Sequence, residues 1–262
     1  MINKFFKIHF ITLILFTIFL LIEGFLTYYS SKLSFYFDSF DVGVGGGYNA
    51  KIWNENGLIE NIQVLLLIFS LINIIITIYH NKNYNNDFIL KYFLILYLLS
   101  VLYFLGEEIS WGQHILEWDS NEFFLTYNSQ KETNIHNISN LFNEIPKTFL
   151  TLWCGLSFLL FKYLSFFNMN KIIYKKIIFP SKELKYISIM LLIFYIPEFS
   201  VDKLGFHQEN THHPRDIVYS KQILPSQIID FFSFNFIKLS EYHELLFAYY
   251  IYNHSYFLKK CI

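Results

Sequence analysis

Two short motifs concentrate the reactive side chains of this chain: Gly106-Glu-Glu-Ile-Ser-Trp-Gly-Gln-His114 and Glu132-Thr-Asn-Ile-His-Asn137. On a helix, Glu107, Trp111 and His114 share one face through their i, i+4, i+7 spacing. Glu108 sits about 100° around from Glu107, so the two acids point in different directions. Adjacent like charges favour keeping one carboxyl protonated, which suits a proton donor. Glu107, Glu108 and His114 are therefore the candidates for acid–base chemistry. The plainer reading of the same residues is a polar network in which Glu107, Glu108 and Gln113 tie helix ends together. Glu60, Trp111, Asn137, Glu241 and Glu244 would belong to that network, Glu60 as a first-turn acid favoured by the helix dipole.

The second chemistry that these residue types allow is metal binding. Glu132 and His136 stand i, i+4 apart, a spacing at which two side chains grip one ion if the segment is helical. His207-Gln-Glu-Asn-Thr-His-His213 and Glu241-Tyr-His-Glu244 supply further ligand types. The expected metal ligands are Glu132, His136, His207, His212 and His243, around a divalent ion such as zinc. A catalytic site of that kind needs three protein ligands and one open position. No His-Glu-x-x-His signature is present, and a histidine in a loop is most often polar surface. Cys154, in an apolar run, and Cys261, at the tail, have no partner for a disulfide or cysteine metal site. The glycine run Val42-Gly-Val-Gly-Gly-Gly-Tyr48 lacks the Lys-Ser/Thr of a phosphate loop, so a flexible connection is expected there.

What positions these motifs follows from the distribution of charge. Hydrophobic residues make up 54% of the chain and aromatics 21%, well above the soluble average. They fall in long runs, several of which reach the about 20 residues needed to cross a bilayer. Spans are expected over about 8–28, 58–79, 88–105, 147–167, 186–204 and 237–257. The N-terminal run continues past Glu23-Gly24 with no small-x-small cleavage site, so it reads as an uncleaved first helix rather than a signal peptide. The helical pattern of the third span is expected to continue through the first motif to Ile115. Asn143 and Pro146 signal the start of the fourth. Pro197 should kink the fifth, and Pro225–Phe236 reads as an interfacial or re-entrant helix.

Of the 21 Asp and Glu, 19 lie in or beside the first, third and fifth connections, whereas 12 of the 20 Lys and Arg lie at the termini and in the second and fourth. The two sides carry +10 and −11. With the basic side in the cytoplasm, both termini are inside and the two motifs outside. The fold expected is all-α, an integral membrane bundle of about six transmembrane helices forming a single domain over residues 1–262, in the inner (cytoplasmic) membrane. A charged side chain costs about 2.5–3.5 kcal/mol or more at mid-bilayer, so acids near helix ends should turn inward, pair or line a wet cavity. Glu107 or Glu108, Trp111, Glu132 and His136 are accordingly expected to meet in space.

The chain also resembles a known pattern. Asn56-Gly-Leu-Ile-Glu60 before the second span, the Gly106–Gln113 motif, Glu132-Thr-Asn-Ile-His-Asn137 and the Glu241/Glu244 start of the last helix look like a family of uncharacterised bacterial polytopic membrane proteins. That family has Arg after the Gln, where this chain has His114. A looser resemblance is to the membrane hydrolase superfamily that includes alkaline ceramidases, which places one zinc among helices; the paired His-x-x-x-His of that superfamily is missing here. Two functions follow as expectations. One is a metal-dependent hydrolase or transferase acting on a lipid-type substrate, with the metal activating water and a Glu moving the proton. The other is a non-enzymatic transporter, channel, accessory subunit or assembly partner that uses the same acids as a cation, proton or structural site. The bilayer is the expected partner, and no feature points to nucleic acid.

Overall fold

The computed structural model describes residues 2–34, 50–53, 57–80, 88–128, 131–135, 138, 140–157, 159, 184–204 and 238–261. Regular structure among the described residues is helical throughout, with no strand. In chain order the helices are α1 (Ile2–Ser34), α2 (Ala50–Trp53), α3 (Leu58–His80), α4 (Phe88–Glu108), α5 (Gln113–Leu116), α6 (Glu122–Tyr127), α7 (Asn140–Leu150), α8 (Lys185–Leu204) and α9 (Leu239–Cys261). A 3₁₀ turn, Ser110–Gly112, joins α4 to α5, and a π turn, Thr151–Gly155, follows α7.

Hydropathy places the long helices well. Helix α3 starts directly after Gly57, with Glu60 in its first turn, and α4 starts at Phe88. Two described helices are long and apolar enough to cross a membrane, one containing α3 and the other α4. The segments Phe10–Leu26 of α1 and Lys185–Tyr195 of α8 are shorter apolar helices. The start of the fourth span differs from expectation: Pro146 sits inside α7 rather than opening it. The proline ring deletes one backbone hydrogen bond, and the turns on either side carry the helix through it. The run 225–236 lies outside the described residues.

The chain packs as two compact units, Met1–Glu60 with Met190–Glu244, and Asn61–Ile189 with Leu245–Ile262. In the first unit, Leu13, Thr17 and Leu20 form the buried stripe of α1, while Leu15, Phe19, Ile22 and Leu26 are exposed. The Thr17 hydroxyl bonds the Leu13 carbonyl of its own helix and the Tyr242 hydroxyl. Phe194 packs edge-on to Tyr242, with ring centroids 4.7 Å apart.

In the second unit the core joins Leu67 and Ile74 of α3, Leu90, Leu94, Tyr97 and Val101 of α4, and Ala248, Ile251 and Leu258 of α9. The α4 set recurs at i, i+4, i+7, i+11, the period of one helix face. Helix α3 also buries Ser70, Asn73 and Thr77 and exposes Leu65, Phe69, Ile72 and Ile75. Its buried side thus mixes polar with apolar side chains, while large apolar side chains also cover its exposed side. Ser70 and Thr77 bond the carbonyls of Leu66 and Asn73 one turn back, so their hydroxyls are satisfied without water.

Candidate polar site at the end of α4

The two motifs meet within the second unit, on the loop that follows α4. Glu107, in the last turn of that helix, is 5% exposed. Its Oε1 accepts from Trp111 Nε1 at 2.7 Å and its Oε2 from the Ile135 backbone N–H at 2.7 Å. One carboxylate thereby ties the end of α4 to both motifs. Around Glu132, Ser110 Oγ donates to Oε2 at 2.6 Å and Asn134 Nδ2 to the same oxygen at 2.8 Å. Asn134 Nδ2 also reaches Ser110 Oγ at 3.1 Å, and its Oδ1 accepts from Asn128 Nδ2 at 2.7 Å. Gln113 is the third tie. Its Oε1 accepts from the Thr133 N–H at 2.7 Å and its Nε2 donates to Ser120 Oγ at 3.0 Å. The Ser120 hydroxyl is left to donate to the Lys131 carbonyl at 2.7 Å.

The backbone that makes this possible departs from the expected continuous helix. Helix α4 ends at Glu108, and Ser110, Trp111 and Gly112 follow with φ of 45°, 54° and 96°. Left-handed backbone at a non-glycine residue costs about 1–2 kcal/mol, so the turn persists only if its surroundings determine it. They do: Ser110 is held by Glu132, Trp111 by Glu107, and Gly112 has no Cβ to strain. The reversal folds the Trp111 indole back over Gly106. A Cβ on Gly106 would lie 2.9–3.0 Å from three ring atoms of Trp111, so only glycine fits beneath it. Glu107 and Trp111 do share a contact, as the i, i+4 spacing suggested, but through this folded-back turn instead of a regular helix face.

The remaining expected residues are distributed as follows. Glu108 is half-buried at the end of α4, and His114 lies in α5. Glu60 stands in the first turn of α3. Glu241, His243 and Glu244 stand early in α9 and belong to the first unit; Glu241 pairs with Lys238 at 2.8 Å, and the buried His243 ring lies 5.4 Å from that of Tyr195. His136, Asn137, His207 and His212 lie outside the described residues. Among the described residues no three His, Cys, Asp or Glu side chains gather as a metal-ligand group. Glu132 accepts hydrogen bonds from Ser110 and Asn134 on Oε2.

Two groups escaped the reading of the sequence. Ser110, Ser120, Asn128, Thr133 and Asn134 carry the network between the acids; their density in and between the two motifs was the available signal. The other group lies deep in the second unit. His254, fully buried on α9, has Nδ1 3.2 Å from the Tyr97 hydroxyl, which donates to the Ile251 carbonyl at 3.1 Å. The rings of Tyr97, Trp153 and Tyr250 surround it at centroid distances of 5.2, 5.6 and 6.4 Å. Beside them the π turn exposes the Cys154 carbonyl, which accepts from Ser188 and Ser157 at 2.7 and 2.9 Å.

No family model, curated protein or solved structure matches the chain.

Proposed function

We propose that the chain is a polytopic inner-membrane protein of about six spans, with both termini inside, whose outer face carries a rigid, non-catalytic clasp used in assembly with other membrane components. The exposed apolar side of α3, with Leu65, Phe69, Ile72 and Ile75 outside while Ser70, Asn73 and Thr77 are buried, supports the bilayer as solvent. The charge asymmetry of +10 against −11 supports the orientation. The motifs fit the family of bacterial polytopic membrane proteins they resemble. The observation that carries the clasp is Glu107, whose two oxygens each accept an N–H donor, one from Trp111 and one from Ile135. A carboxylate so engaged fixes a loop to a helix end. Reporter fusions after Asn121 and after Lys176 test the topology: the first should report the outside and the second the cytoplasm. A cytoplasmic signal from the Asn121 fusion overturns it.

A second reading is favoured by one observation. Three consecutive left-handed residues in the first motif are strain of the kind that clusters at active sites. On this reading the chain is a hydrolase or transferase acting on a lipid-type substrate, Glu107, Glu108 and His114 move protons, and Glu132, His136, His207, His212 and His243 supply ligands for a divalent ion. Elemental analysis of detergent-purified wild type and His136→Ala separates the two. Stoichiometric metal lost in the variant supports the enzyme; equal, negligible metal in both supports the clasp.

A further inference from the structure

Beyond holding itself together, the clasp displays aromatic side chains. Trp111 and Trp118 are 43% and 40% exposed, and each is seated on a glycine: Trp111 on Gly106, and Trp118 where a Cβ of Gly112 would meet its ring at 3.5 Å. Leu116, 69% exposed, lies between them in sequence. Helix α6 buries none of its residues, and Phe123 and Tyr127, one turn apart, place their rings 5.1 Å from each other on one side. Glu122 and Thr126 lie about 100° around that short helix from them, so polar and apolar side chains occupy adjacent sides.

The exposed aromatics continue an apolar surface already present on α4. Phe88, Tyr92, Leu96, Leu99 and Tyr103 are exposed along one stripe of that helix. The stripe ends at Tyr103, whose ring meets Trp111 edge-on with centroids 6.2 Å apart. The exposed apolar side of α4 thus passes without a break into the loop.

Resting on the membrane topology proposed above, we propose that Trp111, Leu116, Trp118, Phe123 and Tyr127 dock into the headgroup and carbonyl layer of the outer leaflet, with zwitterionic phospholipid as the partner. Indole and phenol rings prefer that layer because one end of each is apolar and the other polar. Glu117, Asp119 and Glu122 are exposed in the same segment, so anionic lipid gains nothing there and the attraction is apolar and interfacial. The clasp sets the angle at which the loop meets the bilayer: Glu107 fixes Trp111, and Gln113, through Ser120, fixes the chain that carries Trp118.

The test uses the full chain in phosphatidylcholine vesicles containing lipid brominated either near the glycerol or near the acyl-chain end. The emission lost in Trp118→Phe, taken as the difference from wild type, isolates that indole. It should be quenched severalfold more by shallow than by deep bromine, and little by aqueous acrylamide. Strong acrylamide quenching with no bromine effect puts the loop in water and overturns the proposal. Quenching by neither puts it under protein, a second copy included, and overturns it equally; stronger deep quenching removes the interfacial placement. Phe123→Cys carrying a polarity-sensitive dye gives an independent readout if Trp118→Phe folds poorly. Extraction of the wild-type chain from vesicles by alkaline carbonate would sink the membrane reading itself, whereas retention with a water-exposed Trp118 would sink only the docking.

Discussion

Trp111 donates its indole N–H to Glu107 while its ring covers Gly106, so one side chain closes a left-handed turn through a hydrogen bond and a packing contact together. The two contacts differ in kind and are separable by substitution. Gly106→Ala places a Cβ 2.9 Å from the ring and should destabilise by about 1–3 kcal/mol through overpacking. Thermal unfolding in detergent, followed by tryptophan emission, checks it. A melting temperature unchanged from wild type would mean that the ring is not seated on Gly106.

Removing the hydrogen bond instead should show coupling. Glu107→Gln turns one acceptor oxygen into an amide donor facing an N–H, leaving a buried donor unmet at a cost of about 1–3 kcal/mol. Trp111→Phe deletes the other partner of one of those bonds. A double-mutant cycle on unfolding free energy should return a coupling of about 0.5–3 kcal/mol for this pair, and additivity would contradict the bond.

Ser110 offers a test of strain against hydrogen bonding. Its φ of 45° is disfavoured for any residue with a Cβ, and its hydroxyl bonds Glu132. Ser110→Ala loses the bond and keeps the strain; Ser110→Gly loses the bond and relieves the strain. The glycine variant should therefore be more stable than the alanine variant by about 1–2 kcal/mol. The reverse order in denaturant titration would remove the left-handed turn.

The Glu132 arm of the clasp is expected to control access to the loop. Glu132→Ala leaves Ser110 and Asn134 without their shared acceptor, and the segment around Lys131 should open to trypsin. Limited proteolysis of the detergent-purified variant should cut at Lys131 at least severalfold faster than in wild type. A conservative change at Tyr79, exposed at the far end of α3, should leave the rate unaltered.

The buried histidine gives the fifth expectation. Tyr97→Phe removes a hydroxyl that bonds both the Ile251 carbonyl and His254 Nδ1. Leaving polar atoms unmet in this core should cost about 1–3 kcal/mol, read as a lower unfolding temperature. His254→Phe on the Tyr97→Phe background should recover part of that loss, since two apolar rings leave no unmatched donor between them.

The sequence by itself determined where the long apolar helices lie. Apolar length places α3 and α4 within a few residues, because a run of about 20 apolar residues has one economical backbone, the helix. The motifs were legible as a site, since carboxylates packed at the end of an apolar run must find donors. What only the tertiary structure decided was the path between them. Periodicity carried the third helix on to Ile115, because nothing local in Ile109-Ser-Trp forbids it. The helix stops at Glu108 because Glu132, Thr133 and Ile135, more than 20 residues further on, reward a strained turn with hydrogen bonds that no local rule contains. The role of Gly106 was likewise invisible: its meaning lies in a ring that folds back upon it, and that ring arrives only after the turn has formed.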